Sequence, residues 1–125
     1  MMDEYRKGWA LRYLREAKAE LEAARKIPYM APGLVLEAIR KARNAIYYSL
    51  GEPAFIEILI REEVLKNPPT NDSILRFLME LETVVQQMQQ LEEVNGDAMM
   101  KQADSIVEIA TDIVETLTEE RLQGS

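Results

Sequence analysis

The reactive chemistry open to this chain is limited, because its 125 residues include neither Cys nor His. The lack of Cys excludes thiolate nucleophiles and Cys-ligated zinc, and the lack of His excludes the commonest general base and transition-metal ligand. Ser49, Ser73 and Ser105 have no recognisable base, and the sequence contains no Gly-rich loop to hold a phosphate. What remains for chemistry is a set of carboxylates, cations and aromatic rings.

Several carboxylates have a spacing that could hold a divalent cation. Asp and Glu alone can bind Mg²⁺ or Mn²⁺, and acids three or four residues apart on a helix share one face. The alternative interpretation is that these acids simply form the solvent-exposed face of a helix, which is the commoner case. The candidate metal ligands are Glu62, Glu63, Asp104, Glu108 and Asp112, with Glu80 and Glu115 at related spacings.

A second candidate site combines cations with aromatic rings in the second predicted helix. Helical periodicity places most of its members on one side, where they could stack on bases or bind a phosphate. The alternative is internal pairing, with Arg stems and Tyr rings packed at the edge of the core. The sequence favours internal pairing, because residues 52–125 are strongly acidic. The members are Arg40, Lys41, Arg43, Asn44, Tyr47 and Tyr48.

The elements that must position these residues are amphipathic helices. Apolar residues recur at steps of three and four along four long segments, which is the pattern of a helix with one buried face. A fifth, shorter segment is apolar nearly all round. The four long segments are 3–26, 34–50, 72–94 and 97–122, and the short one is 53–67.

The segments between the helices contain helix-breaking residues. Proline interrupts the chain in 27–33 and again in 67–71, because it lacks an N–H and restricts the residue before it. Asp97 is expected to cap the fifth helix, and Thr70, Asn71 and Asp72 are candidate caps of the fourth. We therefore expect an all-α fold, an up-and-down helical bundle of four long helices plus one short helix. The bundle should form one domain over 1–125, with the first two helices as one hairpin and the last two as another.

Two stretches resemble the opening hairpin of the HEPN superfamily. They are YLREAKAELEAAR at 13–25 and AIRKARNAIYYSL at 38–50, which are similar to that family's Asp/Glu-Leu-x-x-Ala-Arg/Lys and Ala-x-x-Ala-x-x-Ala-Leu patterns. The likeness is confined to 1–50. It implies a helical bundle, often a dimer, in a family whose active members are commonly ribonucleases with an Arg-x(4 to 6)-His motif. That motif has no position here, because Arg76 and Arg121 have no His to pair with, so the resemblance implies a non-catalytic interaction or antitoxin-like relative.

The acidic residues carry a second resemblance, to the MazG-type nucleotide pyrophosphohydrolases. Those enzymes hold their metal through paired Glu-x-x-Glu and Glu-x-x-Asp motifs. Here Asp112-x-x-Glu115 has that spacing with the residue types inverted, and Glu108 precedes Asp112 by a step of four. The resemblance implies an alternative function, a nucleotide phosphohydrolase that depends on Mg²⁺ or Mn²⁺.

The composition favours protein partners over nucleic acid or membrane. The net charge is −7, although residues 1–51 hold ten Lys or Arg against six Asp or Glu. Nucleic-acid binding through the basic second helix is therefore possible but not favoured. The charged first 22 residues and the lack of a long apolar run favour a cytoplasmic protein that does not enter membranes.

The excess apolar surface of the short third helix predicts self-association, because a small monomer cannot easily cover it. We expect a non-catalytic helical interaction module without a cofactor. A homodimer is favoured, and another protein partner is possible. Tyr5, Trp9 and Tyr13 lie along one line of the first helix and are expected to form a core rim or a dimer contact.

Overall fold

The computed structural model describes residues 3–66, 71–90 and 96–119, and within them the predicted all-α helical bundle is confirmed. Each predicted helix is present, and the short one is the third. The helices are α1 (Glu4–Lys26), α2 (Ala31–Leu50), α3 (Pro53–Val64), α4 (Ser73–Gln90) and α5 (Gly96–Thr118), with a 3₁₀ turn at Pro28–Met30 between α1 and α2.

Two aspartates cap helices as their position in the sequence requires. The Asp3 carboxylate accepts a hydrogen bond from the Arg6 N–H at 2.8 Å, and the Asp72 carboxylate accepts one from the Leu75 N–H at 2.9 Å. These bonds satisfy N–H groups that have no partner inside α1 and α4. The prediction that Asp97 caps α5 is wrong, because α5 already begins at Gly96 and Asp97 lies in its first turn. There its negative charge still interacts favourably with the positive end of the helix dipole.

The connection predicted at 27–33 is shorter than expected. α2 begins at Ala31 and includes Pro32 and Gly33 in its first turn. Proline is compatible with that turn because the first N–H groups of a helix have no acceptor within the helix. α3 is also shorter than predicted, because it ends at Val64 rather than at residue 67.

α2 is the centre of the bundle. It packs against each of the other four helices, most extensively against α1 and then α5. α4 packs on α2 and α3, and α5 packs on α2 and α1, so the close α4 and α5 hairpin expected from the sequence is not seen in the described residues. The reason is that α2 is apolar over a wide arc and both helices dock on it. Its buried residues are Val35, Ala38, Ile39, Ala42, Ala45, Ile46, Tyr47 and Ser49.

The remaining core comes from the inner faces of the outer helices. α1 contributes Ala10, Leu14, Ala17, Leu21 and Ala24, and its repeated small residues let it lie close to α2. Between α4 and α5 lies an apolar cleft of about 200 Å³ lined partly by Ile74 and Leu117. None of the helices, as far as residues 3–119 are described, is both long and apolar enough to cross a membrane.

Candidate functional site

The six residues of the predicted basic and aromatic site are divided between two sides of α2. On the side facing α1, the Lys41 Nζ donates a hydrogen bond to the Glu20 Oε1 at 2.7 Å and lies 3.9 Å from Glu16. The hydrogen bond to Glu20, together with the nearby negative charges, raises the pKa of Lys41 against the opposing effect of burial. Lys41 is therefore engaged with carboxylates of α1.

Tyr48, on the same side of α2, belongs to a row of aromatic rings. Its ring stacks on Trp9 with centroids 6.1 Å apart and on Tyr13 with centroids 5.7 Å apart. Tyr5 continues the row, edge-on to Trp9, and the Arg12 guanidinium lies 4.9 Å from the Trp9 ring centroid. The rings cover the junction of α1 and α2, as the predicted core rim would.

On the side facing α4, Arg43 and Tyr47 share one carboxylate. The Tyr47 hydroxyl donates to the Glu82 Oε1 at 2.9 Å, and an Arg43 Nη donates to the same oxygen at 3.1 Å. Burial raises the pKa of the Tyr47 phenol strongly, the charge of Glu82 and its hydrogen bond add to this, and Arg43 opposes it. This network ties the basic half of the chain to the acidic half.

The last two members of the predicted site are less constrained. Arg40 lies 3.6 Å from the Glu37 carboxylate one turn earlier, and Asn44 is half-buried. All three cations of the set thus lie near carboxylates of the same chain. Only Arg43 pairs with the acidic 52–125 segment, as predicted, whereas Arg40 and Lys41 pair with carboxylates within residues 1–51. A phosphate at this face would have to displace those carboxylates.

The contribution of Tyr47 to the stability of the fold should decrease at alkaline pH. In an unfolded chain tyrosine ionises near pH 10. The raised pKa in the fold means that the contribution is complete below about pH 10 and is lost as pH rises through the folded pKa, by up to about 1.4 kcal/mol per pH unit. Tyr47→Phe removes this dependence, so its stability deficit relative to wild type should shrink from about pH 8 to about pH 11.

Urea unfolding of both proteins at matched pH values measures that deficit. Lys41 and Tyr48, whose pKa values are also raised, are present in both proteins and cancel. A deficit that stays constant over this range would show that Tyr47 ionises as freely in the fold as in the unfolded chain.

The five predicted metal ligands are separated. Glu62 and Glu63 lie on α3, which packs against α2 and α4, whereas Asp104, Glu108 and Asp112 lie on α5, which packs against α2 and α1. Throughout the described ranges no three Asp or Glu residues are grouped so that they could hold a metal ion.

The α5 acids instead line a groove of about 570 Å³ between α1 and α5. Asp104 forms an ion pair there with Arg25 of α1, and Lys18 also lines the groove. Glu108 and Asp112 are exposed at its edge, and Glu115 completes that wall. Leu21 and Val107 form its apolar base, so the groove is a charged depression over the core.

The outer face of α3 carries the most exposed apolar surface of any described helix. α3 turns Ile60 into the core, where it is fully buried, and Ile56 packs beside it. The helix presents a second row of apolar residues away from the bundle. This outer stripe consists of Phe55, Ile58, Leu59 and Leu65, which are 68%, 51%, 50% and 86% exposed.

The spacing of the outer stripe explains its position. Phe55, Ile58 and Leu59 follow the i, i+3, i+4 rule of one helix face, and Leu65 lies two turns beyond Ile58. At roughly 150 to 200 Å² for a full large side chain, the four exposed parts amount to about 400 to 500 Å². The largest apolar patch on a typical monomer has about this area and is often functional, so the outer stripe is a candidate binding surface.

Charged residues border the outer stripe. Glu57 and Arg61 form an ion pair at 2.7 Å along one edge, and Glu63 and Lys66 form one at 2.5 Å along the other. Glu62 lies within the stripe, near its C-terminal end, and is exposed. An apolar centre with a charged rim is the composition of a protein interface.

Other exposed apolar residues are more scattered. Tyr29 and Met30 are exposed in the 3₁₀ turn, Tyr5 near the start of α1 and Ile109 on α5. The exposure of Tyr29 and Met30 agrees with their place in the predicted connection at 27–33, because connecting segments run over the protein surface.

Comparison with known proteins adds no family or activity, so the class of the protein is defined by its architecture, an all-α helical bundle. No protein-family model, curated protein or solved structure matches the chain.

Proposed function

We propose that this protein is a non-catalytic helical interaction module that self-associates as a homodimer through the outer stripe of α3. The observation that carries the proposal is the exposure of Phe55, Ile58 and Leu59 on one face of α3 and of Leu65 just beyond its end. Burying such side chains contributes about 1.5 to 3 kcal/mol each when burial is complete. The charged rim limits the contact to one orientation and keeps the free monomer soluble.

The proposal is compatible with the HEPN resemblance, because members of that superfamily are often dimers. It does not depend on the resemblance, since α3 lies outside the stretch of the chain that carries it. The metal-dependent phosphohydrolase and the nucleic-acid-binding bundle are not proposed. The candidate metal ligands are distributed over helices on different sides of α2. The candidate nucleic-acid-binding cations are paired with carboxylates of the same chain.

A matched pair of substitutions tests the dimer. Ile58→Lys places a charge in the outer stripe, whereas Ile109→Lys places the same charge on α5, at an isoleucine of similar exposure (51% and 43%). We expect Ile58→Lys to raise the dimer dissociation constant by at least about tenfold, which corresponds to about 1.4 kcal/mol. Ile109→Lys should leave it within about twofold of wild type.

Sedimentation velocity over about 1 to 100 μM measures the dissociation constants, and native mass spectrometry gives the stoichiometry directly. Circular dichroism of both variants checks that the helices remain folded. A wild-type protein that is monomeric throughout this range, or a dimer that Ile58→Lys leaves intact, would overturn the proposal.

A further inference from the structure

Charge changes sign from one end of α3 to the other. Glu52 is the N-cap residue, seven positions before Leu59, and Lys66 lies two residues beyond the last residue of α3, seven positions after Leu59. A line from Glu52 through Leu59 to Lys66 therefore runs the length of the helix. The line reads acid, apolar residue, base. Reversed end for end, it reads base, apolar residue, acid, and so it is complementary to itself.

We infer that two copies of this chain pair α3 against α3 in antiparallel orientation, with the two-fold axis at Leu59. This inference rests on the proposed self-association and specifies which surface each copy offers to the other. At the axis, Leu59 packs against the partner's Leu59. At each end Glu52 of one copy meets Lys66 of the other, and Lys66 also keeps its ion pair with Glu63 of its own chain. The two-fold axis generates two such ionic contacts, one at each end, and both are attractive.

The parallel arrangement is disfavoured by the same residues. It would place Glu52 against Glu52, Glu62 against Glu62 and Lys66 against Lys66 across the interface, and like charges at close range are destabilising. The antiparallel arrangement moves the two Glu62 side chains apart, each toward the N-terminal half of the other α3. The side chain of the N-cap residue Glu52 makes no capping hydrogen bond to that end of α3, and negative charge is favoured near a helix N-terminus.

The area of the outer stripe fits a weak dimer of this chain. Two stripes in full contact would bury at most about 800 to 1,000 Å² of apolar side chain, which is the size of a weak interface, below the range of about 1,200 to 2,000 Å² for stable ones. The other exposed large apolar residues among those described, namely Tyr5, Tyr29, Met30 and Ile109, are spread over three different elements and do not form one face.

The lack of cysteine in the chain allows a direct test of orientation. In the antiparallel pair, Leu59→Cys brings two thiols together at the axis, so mild oxidation should link nearly all of the dimer. Leu65→Cys places its two thiols about 18 Å apart along the helices, at about 1.5 Å per residue. That separation exceeds the limit of about 7 Å between the Cα atoms of a disulfide, so its cross-linking should be at least about fivefold slower.

A second pair of variants leaves the apolar stripe intact, in case Leu59→Cys weakens the dimer. Glu52→Cys mixed with Lys66→Cys should give a mixed disulfide in at least about fivefold excess over either self-linked product, as the reach of a disulfide requires. Electrophoresis without reductant measures the products, and sedimentation of the reduced proteins shows whether each is still dimeric.

The outcomes separate this inference from the proposal on which it depends. Equal cross-linking at positions 59 and 65, with Glu52→Cys linking to itself, would overturn the antiparallel arrangement in favour of the parallel one. Dimers that do not cross-link at any of these positions would overturn the pairing of α3 with α3 while leaving self-association in place. Monomers under reducing conditions, for wild type as well as the variants, would overturn both.

Discussion

Ile46→Ala is expected to lower the free energy of unfolding by about 2 to 5 kcal/mol, the largest effect of any substitution considered for this protein. Ile46 is fully buried on α2, the helix against which all the others pack. Removing three carbons there leaves a cavity that several helices border, and the tightly packed alanines beside it give little room for collapse. A domain of this size is typically stable by only about 5 to 15 kcal/mol, so the variant should lose a large fraction of its stability.

Chemical denaturation with urea, followed by circular dichroism, measures this loss. Ile109→Ala is the matched control, because it removes the same atoms from a helical isoleucine that is 43% exposed on α5. Its cost should be well below that of Ile46→Ala, about 1 kcal/mol or less. Equal losses for the two variants would mean that α2 is not the centre of the packed core.

Ala45→Leu is expected to cost about 1 to 3 kcal/mol or more, for the opposite reason. Ala45 is fully buried and lies on the α1-facing side of α2, between Lys41 and Tyr48, both of which contact α1. Three added carbons at a close helix contact must push the two backbones apart or force a strained rotamer. The ring stacking of Tyr48 on Trp9 would be disturbed by the same movement.

Ala19→Leu provides the control for Ala45→Leu. Ala19 is exposed on α1, and leucine is nearly as good a helix former as alanine, so the change should stay within about 0.5 kcal/mol. Thermal unfolding of both variants gives the comparison, with near-ultraviolet circular dichroism reporting on the aromatic row. If Ala45→Leu unfolded at the wild-type temperature, the α1 and α2 contact would have to be looser than the structure shows.

The helices themselves could be predicted from local periodicity, because their inner faces repeat at steps of three and four. The row of Met99, Ala103, Ile106 and Ala110 indicates α5 without reference to any other part of the chain, and all four are buried. Helix ends were harder to predict, since they depend on which of several compatible residues begins the first turn. Pro32 illustrates this difficulty, because the same residue that interrupts a helix is accepted at its start.

The candidate site was predictable only in part. The sequence indicates that α3 has more apolar residues than one face can hold. Which of them remain exposed depends on where α2 and α4 contact the helix, and these are contacts between distant parts of the chain. The partners of the basic residues are long-range in the same way, since nothing local indicates that Glu82 meets Arg43 or that Glu20 meets Lys41.

The central position of α2 divides the other helices into two groups that need not open together. α1 and α5 pack on α2 and on each other, whereas α3 and α4 pack on α2 and on each other with smaller contacts. Local stability differs between such groups, and the less extensively packed one opens first as a cooperative unit. The proposed dimer surface belongs to the less extensively packed group, α3 and α4. Association would therefore stabilise the part of the fold that opens first. The monomer would be the form most exposed to proteolysis and aggregation.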